Sequence, residues 1–207
     1  YICAWLWISS MNAAARARHN TVAVLTTVGI VNGGLVGGIG PSIDAFAANT
    51  GLSQSTLAGL VLQMKLSKLL GNYCWTYYAT SSARHGRLSP RGLHAALMLC
   101  SAGLSCVVAR ARTSPRWLQL ACWGFGLCYG CSDAGVLMVA VWAGRDGRAQ
   151  RANIASVCVG YTFGAVLTPL VVALSLRHGG TVYACWEALA VLAAAAAAVL
   201  ACAAPLP

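Results

Sequence analysis

The sequence predicts an all-α membrane protein of six transmembrane helices, and three observations predict it. Hydrophobic residues make up 58% of the 207-residue chain and charged residues only 9%, against roughly a quarter charged in a soluble domain. The apolar residues fall in long uncharged runs. The charges are strongly unbalanced and clustered, because twelve Arg and two Lys face only Asp44, Asp133, Asp146 and Glu187, and most Arg sit in short groups between the runs. A chain this poor in charge cannot clothe a water-facing surface.

The spans follow from length. A hydrocarbon layer about 30 Å thick needs roughly 20 apolar helical residues. Residues 1–20 form an N-terminal basic tail, and the bundle is expected over 21–204. Its spans are near 21–47, 53–79, 92–109, 117–143, 153–176 and 181–204. Thr21–Ile43 and Ala152–Leu176 carry no charge, and Trp117–Ala143 carries only Asp133. The last span carries Glu187 and the alanine run Ala193–Ala198, a good helix former even where it is weakly hydrophobic. Gly92–Ala109 is shorter, with His94 near one end. Tyr1–Ser10 is too short to span, precedes Met11, and lacks the charge-then-apolar order of a signal peptide. It is the pattern expected of upstream translated sequence.

The second span is the difficult one. Leu57, Leu60, Val61, Leu62, Leu66, Leu69 and Leu70 contribute about −0.5 kcal/mol each to insertion, while a central Lys costs about +3 kcal/mol. With Lys65 and Lys68 in its middle, the segment should not insert alone. Its lysines are expected to face the bundle interior, with partners or water.

Loop charges orient the chain. With the N-terminus cytoplasmic, the inner segments hold Arg16, Arg18, Arg84, Arg87, Arg91, Arg145, Arg148 and Arg151, and the outer loops hold Arg110, Arg112, Arg116 and Arg177. That excess places both ends inside. Trp117 and Trp142 bracket the fourth span, and Tyr73, Trp75, Tyr77 and Tyr78 crowd the end of the second, as aromatic belts do.

Composition excludes other classes. Basic residues that punctuate apolar runs do not form a nucleic-acid-binding stripe, so no nucleic acid is expected. Most of the ten Cys, such as Cys100, Cys106, Cys122 and Cys158, lie inside apolar runs and read as small buried packing residues, not a disulfide framework. Cys128-x-x-Cys131 lacks a βαβ context. His19, His85, His94 and His178 have no metal-ligand spacing. Neither a phosphate-binding glycine loop nor a nucleophile elbow occurs, so neither an enzyme nor a cofactor is expected.

Several residues could carry chemistry. Gly33, Gly34, Gly37, Gly38 and Gly40 precede Pro41 in the first span, and Gly160 and Gly164 stand four apart in the fifth. Such spacing lets helix backbones approach, so a contact between spans one and five is expected. Gly40-Pro41 could also break the helix beside a cavity, where loose backbone is tolerated. Asp133 lies about 25 Å below the outer end of the fourth span and Lys68 about 22 Å below that of the second, at about 1.5 Å per residue. The coincidence predicts a buried Lys68–Asp133 pair, with Lys65 one turn away on the same face. Asn32, Gln63, Trp123, Tyr129, Tyr161 and Thr162 add polar groups and flat aromatic faces inside spans. These suit either a sugar-like solute or interhelical hydrogen bonds. Asp44 and Glu187 are expected at the interface or mouth.

Two triplets of spans each begin with a glycine-rich stretch and an acid, Gly40-Pro41-Ser42-Ile43-Asp44 and Gly130-Cys131-Ser132-Asp133-Ala134-Gly135. This is the pattern of two three-helix inverted repeats. The loop Ala83-Arg84-His85-Gly86-Arg87-Leu88-Ser89-Pro90 resembles the Asp-Arg-x-Gly-Arg-Arg loop of the major facilitator superfamily, with Arg84, Gly86 and Arg87 in its core and Ala83 and Leu88 substituted. Gly40–Asp44, Gly130–Asp133 and Phe163-Gly164-Ala165-Val166-Leu167-Thr168-Pro169 are similar to the sodium-dependent glucose transporter branch, over about Thr21 to Leu176. In that branch the position of Leu137 is usually Asn and that of Cys158 often His.

The resemblance implies half of a major facilitator fold that moves a small polar solute, a sugar among the candidates, by alternating access, with a co-transported cation. Spans one and four would line the cavity, flanked by two and five, with Asn32, Lys68 and Asp133 as the contacts. One half cannot enclose a pathway, so a missing C-terminal half or a second copy is expected. The end at Ala203–Pro207, without a basic linker, is the end expected of a truncated chain. A non-transporting scaffold or assembly subunit that keeps the fold is the competing class, and it predicts Lys65, Lys68 and Asp133 fully packed with no open cavity beside them.

Overall fold

The computed structural model of the chain describes residues 13–85, 90–110, 114–144 and 146–202. Six helices follow one another with no strand among the described residues: α1 (Ala13–Thr50), α2 (Gln54–His85), α3 (Pro90–Arg110), α4 (Pro115–Trp142), α5 (Gly147–Arg177) and α6 (Val182–Cys202). Most run past the apolar segments that predict them, because polar and basic ends can continue a helix beyond the hydrocarbon layer. Residues 1–12 of the tail lie outside the described residues. So do Gly86 and Arg87 of the motif loop, and of Arg84 only its place at the end of α2 is described.

Five helices are long and apolar enough to cross a membrane: α1 over Asn20–Thr50, α3 over Gly92–Arg110, and the whole of α4, α5 and α6. The chain is a multi-pass membrane protein. α2 falls outside that set. It nonetheless runs beside α4 from the Gln63–Gln119 contact to the Trp75–Met138 contact, with Leu62, Leu66, Leu69, Leu70, Tyr73 and Tyr77 exposed on the outside of the bundle. Leu62, Leu66, Leu69 and Leu70 therefore share an outer face, Leu57 and Leu60 are buried against the bundle, and the lysines are not spread round the helix.

Two glycine seams set the packing. Along α1, a Cβ added at Gly29 would lie 2.6 Å from the Val157 carbonyl oxygen, one at Gly37 would lie 2.7 Å from that of Ala165, and one at Gly33 would overlap the Tyr161 carbonyl. Gly160 and Gly164 of α5 meet the α1 backbone at Thr26 and Ile30 in the same way. The α1–α5 contact is thus backbone against backbone, as the spacing predicts. Gly34 and Gly38 face side chains instead of backbone, with Thr168 of α5 and Leu189 of α6 against both.

The second seam joins α2 to α4. Cβ atoms at Gly126, Gly130 and Gly71 would overlap the carbonyls of Met64, Lys68 and Leu127 respectively. The contacts advance in the same direction along both chains in each seam, so α1 runs parallel to α5 and α2 parallel to α4. α3 packs on α6, and small residues are buried on both helices, Ser101, Ala102, Ser105 and Ala109 on α3 and Ala193, Ala196 and Ala197 on α6. Asp146 caps α5 by accepting the Ala149 N–H at 2.7 Å, which offsets an unpaired donor at the helix start.

Four expectations are corrected. Gly40 packs against nothing, since no atom lies within 4 Å of an added Cβ. Pro41 does not break α1, which continues to Thr50. Proline removes a single backbone donor, and the Ser42 hydroxyl beside it donates to the Gly38 carbonyl at 2.6 Å. Trp75 is no belt residue: it is 1% exposed, 4.9 Å from the His94 ring, and donates to the Met138 sulfur at 3.1 Å. Cys100, Cys106 and Cys158 are exposed, while Cys128 and Cys185 are buried. A thiol is apolar enough to lie on either side of a membrane helix.

Candidate functional site

The site is built at the second glycine seam. Because Gly130 has no side chain, α4 lies directly on the Lys68 carbonyl of α2. Asp133, less than one turn further along α4, then reaches the Lys68 side chain, and Nζ lies 2.8 Å from Oδ2. The side chains keep 25% and 30% of their surface exposed, so the pair is half-covered and not sealed into the core.

Two tyrosines extend it. The Lys68 ammonium sits over the Tyr129 ring, 4.2 Å from its centroid, where the ring quadrupole attracts a cation. Tyr129 in turn stacks on Tyr161 of α5, with centroids 6.4 Å apart and planes at 18°. The Tyr161 backbone is held against Gly33 by the first seam. Three helices thus converge, α2 with the ammonium, α4 with the carboxylate and a ring, and α5 with a second ring.

α2 presents further polar groups on this side. Lys65 stands one turn before Lys68 and Asn72 one turn after it, within about 60° of it around the helix. Lys65 is exposed. Asn72 is half-buried, and its Oδ1 is buried with no hydrogen-bond donor among the described residues.

Other expected contacts lie elsewhere. Asn32 is 2% exposed and donates to Ser132 Oγ at 3.0 Å. It ties α1 to α4 at the residue before Asp133, and it has no open surface for a solute. Gln63 accepts from Gln119 at 3.5 Å, and both line a groove of about 340 Å³ with Leu52, Thr56, Gly59, Leu60 and Pro115, near the starts of α2 and α4. Trp123 is exposed and stands ten residues before Asp133, about 15 Å along α4 at about 1.5 Å per residue, away from the pair. Asp44 is exposed at the end of α1, where Gln54 donates to it at 3.4 Å, and Glu187 is exposed on α6.

Sequence reasoning missed Gly71, Gly126 and Asn72. Gly126-x-x-x-Gly130 was readable as a small-residue pair, whereas Gly71 stands alone and Asn72 is one polar residue among many. Pro169 lies inside α5, half-buried, one residue after the buried Thr168. No protein-family model, curated protein or solved structure matches the chain.

Proposed function

We propose that the chain acts as one six-helix half of a secondary transporter of the major facilitator type, moving a small polar solute by alternating access. The observation that carries this reading is the Lys68–Asp133 pair, with both side chains partly exposed at mid-helix and the Tyr129–Tyr161 stack beside them. Ionisable groups at membrane depth are costly and mark pathways when they border a wet cavity. A second six-helix unit, either a further part of a longer polypeptide or another copy, would close over this face and complete the pathway.

The packing pattern supports the repeat reading. Exchanging α1, α2 and α3 for α4, α5 and α6 turns the α1–α5 contact into the α4–α2 contact and leaves the α3–α6 contact unchanged. Two inverted three-helix repeats have this property. The scaffold alternative expects Lys65, Lys68 and Asp133 to be fully packed. Lys65 is exposed and the other two are only partly covered, which favours transport. The arginine excess favours a cytoplasmic N-terminus.

Uptake of labelled polar solutes into proteoliposomes containing the chain together with its second six-helix unit, another copy or the further part of a longer polypeptide, is the direct test. Lys68→Ala and Asp133→Asn should each abolish uptake while the protein still inserts. Uptake that survives both substitutions would remove the pair from the pathway.

A further inference from the structure

We infer that a phosphate-bearing diacyl lipid binds in the groove between α2 and α4, with its phosphate at Arg116, its glycerol esters at Gln63 and Gln119, and its chains over Leu70, Trp123 and Leu127. The inference goes beyond the transport reading and does not depend on it. The groove encloses about 340 Å³ near the starts of the two helices. The second glycine seam ends at Gly126 against the Met64 carbonyl. Beyond it the helices meet through side chains instead of backbone, Gln63 and Gln119 at 3.5 Å. Gly59 keeps the groove open, because no atom lies within 4 Å of a Cβ added there. Gln63 stands about 140° round α2 from Lys68 at about 100° per residue, so the groove lies on a different side of α2 from the Lys68–Asp133 pair.

Both walls change from polar to apolar in the same order. Along α4, Arg116, Gln119, Trp123 and Leu127 follow at intervals of three or four residues, a spacing that keeps them on one stripe, and all four are exposed. Along α2, Thr56, Gln63 and Leu70 recur every seven residues on another stripe, each exposed or half-buried. Trp117, exposed beside Arg116, marks the interface as belt aromatics do. Gln119 stands three residues deeper, about 4.5 Å, inside the interfacial layer of about 5–8 Å that each leaflet adds to the hydrocarbon core. Trp123 and Leu127 lie in the hydrocarbon. A phospholipid has this same order of phosphate, esters and chains. Arg116 has no acidic partner among the described residues, and a guanidinium binds phosphate through two parallel N–H bonds. Gln63 accepts from Gln119, and ester carbonyls would accept from its own amide N–H groups. A sterol, with one hydroxyl, would answer a single level of this gradient.

Native mass spectrometry of the purified full chain in mild detergent is the test, with dioleoylphosphatidylglycerol, dioleoylglycerol and cholesterol as probes. One phosphatidylglycerol should be retained per chain. Its affinity should exceed that of dioleoylglycerol by at least about fivefold, the scale of one basic residue at a charged membrane surface. Arg116→Gln should abolish that difference, and Arg116→Lys should restore part of it. Gln63→Leu with Gln119→Leu should weaken both glycerolipids alike, since both carry the esters. Gly59→Leu should expel the lipid by filling the groove. Its unfolding temperature without lipid should be unchanged or raised, because the leucine meets open space and glycine is the poorer helix former. Dioleoylglycerol or cholesterol held as tightly as phosphatidylglycerol, or retention unaltered by Gly59→Leu or by Arg116→Gln, overturns the inference. So does pairing of two copies across this groove that excludes the lipid.

Discussion

Breaking the Lys68–Asp133 pair from either side should cost more than a surface ion pair and less than a sealed one, and a double-mutant cycle measures the difference. At 2.8 Å between Nζ and Oδ2, the attraction is about 1.5 kcal/mol with the screening of water and about 6 kcal/mol at an effective dielectric of about 20. Withdrawing the charges from water opposes this. With 25% and 30% of the side-chain surfaces exposed, some hydration is kept and the desolvation cost is incomplete. Exposed pairs are worth about 0–1 kcal/mol, and removal of one partner from a fully buried pair costs about 3–5 kcal/mol. The geometry lies between, so Lys68→Met and Asp133→Asn should each destabilise by about 2–3 kcal/mol. The double variant should recover about 2 kcal/mol relative to their sum. Unfolding in mixed micelles by titration with a denaturing detergent provides the free energies. Additivity within about 0.5 kcal/mol would refute the reasoning, since it would mean that the two charges are not coupled in the folded bundle.

Three further outcomes are expected. Gly37→Ala should destabilise by about 1–3 kcal/mol, because its Cβ would lie 2.7 Å from the Ala165 carbonyl oxygen and the α1 and α5 backbones must part; Gly40→Ala, with nothing within 4 Å, should be neutral in the same unfolding assay. Asn32→Ala should cost about 1–2 kcal/mol and Ser132→Ala should add little on top of it, as the two share one buried hydrogen bond; strictly additive losses would count against that bond. The isolated 53–79 segment should stay out of the membrane in a translocon insertion assay, and Lys65→Leu with Lys68→Leu should drive it in, since two central lysines together cost about 6 kcal/mol. Efficient insertion of the unaltered segment would show that α2 needs no partner.

The number and order of helices, their axial extent and the membrane setting were legible in the sequence, because each depends on position along the chain alone. An uncharged run of sufficient length spans, and at about 1.5 Å per residue two charges on different helices can be placed at one depth. That arithmetic paired Lys68 with Asp133. The α1–α5 seam was legible for the same reason, since Gly33 and Gly37, and Gly160 and Gly164, repeat at a helical spacing that marks a close-approach face, whereas Gly29 joined them only in the structure.

Rotation about each axis was not legible, and it decided the rest of the site. Asn32 and Trp123 sit in apolar spans just as Tyr129 does, yet one is buried against Ser132 and the other is exposed away from the pair. Gly40 continues a glycine pattern that its helix does not use, whereas Gly71 lies on the α4 seam without any pattern to announce it. In a membrane no polar-to-apolar contrast with water orients a helix; backbone approach and a few hydrogen bonds choose its facing side. The sequence by itself determined that this protein is a bundle of membrane helices with a Lys and an Asp at matching depth. Only the tertiary structure, through the approach of Gly130 to the Lys68 carbonyl, decided that those charges meet and that Tyr129, Tyr161, Lys65 and Asn72 stand beside them.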